Sequence, residues 1–247
     1  MRLRLIVAAA TAPPWPLLLV ASLLGWVGVI GSAERFFIPA YCKASANHWD
    51  AQAWRDIETV LTLNPPAGLA AHWLVMLLAM MPLLVAEPVA HLWRRSLARR
   101  RMRAVGAFVA AYLALWILLG LPLMLGAVAL RAWVAAELPL ASLALGFALL
   151  WQLTPAKQIC LNRCHRLPRL AAFGLAADRD CLAYGLTTAI WCIGACWGLM
   201  LLPLVVDRMH LAVMAAVSIV LIAERQRPAR PARWPRIRLP DAYFFPV

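Results

Sequence analysis

Long apolar runs alternate along this chain with short, strongly basic stretches, and the runs set the expected architecture. Apolar residues dominate about 15–32, 68–90, 105–130, 138–155, 181–206 and a shorter run at 209–223. A helix rises about 1.5 Å per residue and a bilayer core is about 30 Å thick, so most of these runs are long enough for a transmembrane helix. The pattern predicts an all-α fold, a polytopic membrane helix bundle of about six transmembrane helices. Pro13, Pro14 and Pro16 sit at the start of the first run, where a helix tolerates them. The small residues Gly31 to Ala33 could also follow a signal core, but the run is longer than such cores, and a retained span is the preferred reading. Between the first two runs lies a polar insertion, Glu34 to Pro66. Within it Trp49, Ala53, Trp54, Ile57, Val60 and Leu61 fall at helical spacing, predicting a surface helix over about 45–61. Residues 1–225 read as one membrane domain and 226–247 as a basic, proline-rich tail.

Composition supports the membrane class. With 64% hydrophobic residues and a mean hydropathy of +0.75, the chain has too little polar surface to coat a soluble globule. Only 14% of residues are charged, yet the net charge is +13, so the arginines must be gathered. Of the 24 Lys and Arg, 19 fall at the N-terminal end, in the 94–103 and 157–179 stretches and in the tail. The other 5 are Arg35, Lys43, Arg55, Arg131 and Arg208. By the positive-inside rule the chain is expected to be N-in and C-in. No nucleic-acid motif accompanies the basic clusters, so membrane lipids rather than nucleic acid are the expected partners.

Sulfur supplies the candidate chemistry. Cys192, Cys196 and Met200 recur every four residues, which stacks them on one helix face, and Met209, His210 and Met214 follow. A second stripe reads His72, Met76 and Met80, with Met81 beside it and Glu87 beyond. A carboxylate within a span is costly, so Glu87 is expected to face protein or water, or to pair with the arginines at the membrane edge. Cys160 and Cys164, also four apart, lie among Arg163, Arg166 and Arg169, whose charge would lower the thiol pKa. Soft thiolate and thioether donors suit Cu(I). For any one of these residues, ordinary apolar packing is the competing reading. Cys42 is the only cysteine in a polar loop and has no partner there, so no disulfide framework is expected. The third and fourth runs carry little chemistry; Tyr112 and Trp116 share a face and read as packing.

Several motifs together are similar to a family of small bacterial integral membrane proteins described as metal-binding, with a copper-chaperone role proposed for some members. They are Trp73 with Ala79, Met80, Met81 and Pro82; Tyr112 and Trp116; Trp151, Gln152, Thr154, Pro155 and Lys157 with Cys160, Leu161 and Cys164; and Cys192, Gly194, Cys196, Trp197, Leu199, Met200, Met209, Leu211, Met214 and Glu224. The family commonly has a further cysteine where Ala195 stands and an arginine where His165 stands. The resemblance implies copper handling in the cytoplasmic membrane.

The leading functional expectation is a non-enzymatic protein that binds Cu(I) through Met76, Met80, Met81, Cys160, Cys164, Cys192, Cys196, Met200, Met209, His210 and Met214. It would pass the ion to an outer-side cuproprotein. The alternative is a structural or assembly subunit of a larger membrane complex whose sulfur serves packing. No P-loop, zinc-protease His pair or Ser/His/Asp grouping points to catalysis.

Overall fold

The computed structural model describes residues 13–32, 62, 66–133, 137–206 and 209–234. The surface helix expected over about 45–61, Cys42 and the tail beyond 234 lie outside the described residues. The fold is all-α. Its helices are α1 (Trp15–Ser32), α2 (Pro66–Met80), α3 (Ala86–Arg95), α4 (Arg101–Trp133), α5 (Glu137–Leu153), α6 (Pro155–Cys164), α7 (Gly174–Val205) and α8 (His210–Arg225), with a 3-10 turn at Ala98–Arg100 before α4. Two stretches, Ala98–Ala127 and Gly174–Val205, are long and apolar enough to cross a membrane; Trp15–Gly31, Ala67–Met80 and Leu140–Leu153 are apolar but shorter.

The run at 68–90 is not one continuous span, as the hydropathy pattern suggested. Helix α2 stops at Met80, residues 81–85 turn, and α3 begins at Ala86. Pro82 is the physical reason: it has no amide to donate, and it disfavours helical backbone in the residue before it. The turn closes on itself, with the Leu84 and Val85 amides both donating to the Met81 carbonyl. Glu87 consequently sits in the first turn of an amphipathic helix rather than inside a span. Its side chain is 51% exposed, and its Oε2 lies 3.6 Å from His165 Nδ1, so its partner is an imidazole and not the arginine cluster.

The α4–α7 contact is the main seam, with α5, α6 and α8 also packed on α7 and α1 packed on α2. Gly185 makes the seam close. A Cβ there would overlap the Phe108 carbonyl and come within 2.9 Å of Ala111 Cβ. Phe108, Tyr112 and Trp116, one turn apart on α4, line the same buried face, and the Phe108 ring lies 5.2 Å from that of Tyr184 on α7. At the arginine-rich end Asp178 clamps the seam, accepting from Arg100 at 2.6 Å and Arg103 at 2.7 Å. On the other flank Ser22 of α1 donates to the Ala79 carbonyl at 2.7 Å.

The outside of the bundle is apolar and its inside is not wholly so. Leu23, Leu24 and Val27 on α1, Leu118 on α4, Leu143 and Leu150 on α5 and Ile219 on α8 are each more than 60% exposed. Buried residues include Lys157, Thr188, Ser218 and four cysteines. Because close backbone approach holds the seam, Gly185→Leu should separate α4 from α7 and lower stability by about 1–3 kcal/mol or more. A depressed melting midpoint of the purified protein, against an unchanged midpoint for Gly146→Leu, where a Cβ meets nothing, checks this.

Candidate metal centre

The break after α2 aims a sulfur at the seam. Met81 is the first residue past the helix, and its Sδ lies 3.4 Å from the Tyr112 hydroxyl of α4. The same hydroxyl donates to Cys192 Sγ of α7 at 3.1 Å. One turn on, Cys196 Sγ lies 3.8 Å from Cys192 Sγ. Three sulfurs from two elements thus gather around a phenol from a third, and all four side chains are buried. A tyrosine hydroxyl has one proton to give. Two sulfur acceptors within its reach leave the second free for a soft cation.

Cys160 and Cys164 approach this cluster from α6. Helix α6 exists because Pro155 cannot continue α5 and instead starts a new helix, capped by Thr154, whose Oγ1 accepts from the Lys157 amide at 3.2 Å. Gly194 receives both helices on α7: Cys160 Sγ of α6 sits 2.6 Å from where a Cβ on Gly194 would be, and Trp151 Nε1 of α5 donates to the Gly194 carbonyl at 3.0 Å. A buried ionic knot then ties α6 to α8: Lys157 Nζ bonds Glu224 Oε1, which also accepts from Gln152 Nε2 at 2.9 Å. Lys157 is 5% exposed, so removing either partner would leave an uncompensated buried charge.

The expected activation of these two thiols is not found. Cys160 and Cys164 lie on α6, beyond the apolar run of α5. Burial pushes the Cys160 thiol above its usual range, against the pull of Arg163. Burial likewise pushes Cys164 up to about 12, and Arg225 beside it offsets this only in part. Sequence shows which cations are near; it does not show how much water the fold removes.

The remaining candidates divide. Met76, Met80, Met200 and Met214 are buried in the same core as the cysteines. Met76 and Met200 stand one turn from Met80 and Cys196, on the side away from the arginine-rich end. His210 is half-buried; its Nδ1 is 2.7 Å from the Pro203 carbonyl, and its ring is 6.1 Å from that of His72. Met209 does not join the set: it is 63% exposed at the α7–α8 turn. It precedes α8, so its side chain escapes the helical register that buries Met214. Sequence reasoning had assigned Tyr112 to packing and gave no role to Lys157, Gln152 or Glu224. A lone lysine and a lone glutamate flanking apolar runs were the available signal.

The donor set is a soft one. Among the described residues no group of three or more His, Cys, Asp or Glu gathers closely enough to hold a metal ion, so any ligand set of three or more here must include methionine sulfur. Two thiols with thioethers suit Cu(I), which accepts sulfur and low coordination numbers. A model of the PpoB2 family, described as copper chaperone, matches residues 70–237. The chain belongs to this family. The matched region runs from α2 to the end of the described chain and contains every sulfur of the centre. No curated protein and no solved structure matches the chain. The family supports a copper-handling role for this PpoB2-family chain.

With its pKa at about 12, Cys164 should be almost wholly protonated at neutral pH. Its alkylation by iodoacetamide, followed by mass spectrometry of the purified protein, should therefore be slow at pH 7.5 and accelerate about tenfold per pH unit towards pH 11. A rate already at its plateau by pH 8 would contradict the burial argument.

Proposed function

We propose that this copper chaperone family member is a multi-pass protein of the bacterial cytoplasmic membrane that carries Cu(I) along a sulfur path and releases it to an outer-side cuproprotein, without catalysing a reaction. The observation that carries the proposal is the meeting of Met81, Cys192 and Cys196 around the Tyr112 hydroxyl in the buried seam. The apolar exterior, with leucines exposed on α1, α4 and α5, supports immersion in lipid. The clustered arginines support an orientation with the Cys160/Cys164 end inside.

On this reading copper is cargo. It arrives at Cys160 and Cys164, passes to Cys192, Cys196 and Met81, and climbs past Met80, Met76, Met200 and Met214 towards His72 and His210. Each four-residue step along a helix advances about 6 Å. Exchange between two- and three-coordinate sulfur keeps the ion ligated throughout. Thiolates hold the ion more firmly than thioethers, so the inner end stores and the outer end releases. Tyr112 donates to Cys192, stabilising the charge of a copper-bound thiolate where no water reaches.

Cys192→Ser with Cys196→Ser should remove tight Cu(I) binding at the seam, seen as a lower copper stoichiometry in a competition titration with a coloured chelator, while Cys181→Ser, at the inner end of α7, should leave it intact. Tyr112→Phe keeps the ring and should weaken binding roughly tenfold, the worth of one hydrogen bond to a charged group. Wild-type affinity in the double variant would favour the packing-subunit reading instead.

Sidedness has its own test. Reporter fusions at Arg99 and after Arg233 should be active only as cytoplasmic reporters, and a fusion at Asn47 only as a periplasmic one. A periplasmic signal from Arg99 would reverse the direction of the path.

A further inference from the structure

At the inner end of the bundle a cavity of about 460 Å³ lies between the α2–α3 turn, the residue after α6 and the end of α8. That is within the roughly 300–1,000 Å³ of small-molecule sites. Leu84 and Ile222 form an apolar wall, and Glu87, His165, Arg225 and Arg227 supply charge. Two of these residues carry buried nitrogens without a hydrogen-bond partner: Arg225 at Nε and Nη2, and His165 at Nε2. Orphaned guanidinium donors are costly, and a carboxylate meets them two at a time. Glu87 adds one acceptor, 51% exposed, on the opposite side of the imidazole. The lining therefore asks for an anion with more than one carboxylate and one ammonium group.

The cavity is also next to a thiol. Arg225, which lines it, lies beside Cys164, the buried innermost cysteine of the path. We propose that this cavity is the docking site of a small thiol peptide bearing free carboxylates and a free amine, which delivers Cu(I) to Cys164. This rests on the copper-carrying reading above. Arg225 and Arg227 hold the carboxylates, Glu87 the ammonium, and the peptide's thiolate is left beside Cys164. Transfer is a ligand exchange without oxidation or reduction. The Cu–S bond to one peptide thiolate breaks as the bond to Cys164 Sγ forms, and the Cys164 proton leaves on the departing peptide thiol. The cavity thus solves a problem that the buried path creates, since a free Cu(I) ion is never presented to it.

Reduced glutathione, a peptide of this chemistry, is the probe, used with full-length protein in nanodiscs of zwitterionic lipid. Copper-free glutathione and its S-methyl derivative should both bind by calorimetry, because recognition is through the charged groups. Arg227→Gln, at an exposed position, should weaken both at least tenfold with an unchanged circular dichroism spectrum, and Arg225→Gln should do the same if it folds. Copper uptake from Cu(I)–glutathione should saturate with its concentration in wild type and become linear in Arg227→Gln. Equal binding by wild type and Arg227→Gln, linear uptake by wild type, or loss of binding when anionic lipid is added to the nanodisc would overturn the inference. The last would assign the cavity to a lipid headgroup. Failure here with intact Cu(I) binding at Cys192 and Cys196 refutes the docking site alone; failure of that Cu(I) binding refutes the carrier reading, whatever glutathione does.

Discussion

The close packing of α4 on α7 is the constraint on which the rest of the structure depends. Gly185 lets the two backbones touch, Asp178 clamps one end through two arginines, and the aromatic face of Phe108, Tyr112 and Trp116 fills what lies between. Inside a seam that water does not reach, each polar hydrogen must find its acceptor among neighbouring side chains and backbone. That is why a tyrosine hydroxyl here ends on sulfur. Tyr112 cannot reach water, and the nearest acceptors are the thiol of α7 and the thioether delivered by the broken end of α2.

Prolines do much of the positioning. Pro82 ends α2 so that Met81 turns into the seam, and Pro155 ends α5 so that a short helix carrying Cys160 and Cys164 lies back against Gly194. In both cases a residue without an amide donor ends one helix and lets the chain start another in a new direction. The Lys157–Glu224 pair then fixes the second of these helices to α8. Because burying two charges costs more than packing hydrocarbon would, the pair is better understood as specifying where α6 sits than as adding stability.

The chemistry that results is graded from one end to the other. Thiols occupy the arginine-rich end and the seam, thioethers follow, and the imidazoles of His72 and His210 stand at the far end of α2 and α8. The copper chaperone family to which the chain belongs gives such a gradient a purpose. Cys164 is buried and its thiol is pushed up to about 12 by desolvation, so a soft cation must displace a proton to bind there.

By itself the sequence determined the all-helical class and which residues are soft donors, and it placed the apolar runs, though α7 starts at Gly174 rather than near 181 and α4 at Arg101 rather than near 105. These follow from local properties: apolar run length, proline, and four-residue spacing that aligns side chains on one face. The pairing of Cys192 with Cys196 was legible for the same reason, since both lie on one helix. What only the tertiary structure decided are relations between helices. That Met81 and Cys192 both reach the Tyr112 hydroxyl, and that Met209 stays outside, depend on how α2, α4, α7 and α8 are set against one another. The thiol acidity of Cys164 belongs there too. Its arginine neighbours were visible along the chain, but the loss of water around it was not, and desolvation outweighs the charges that the sequence displayed.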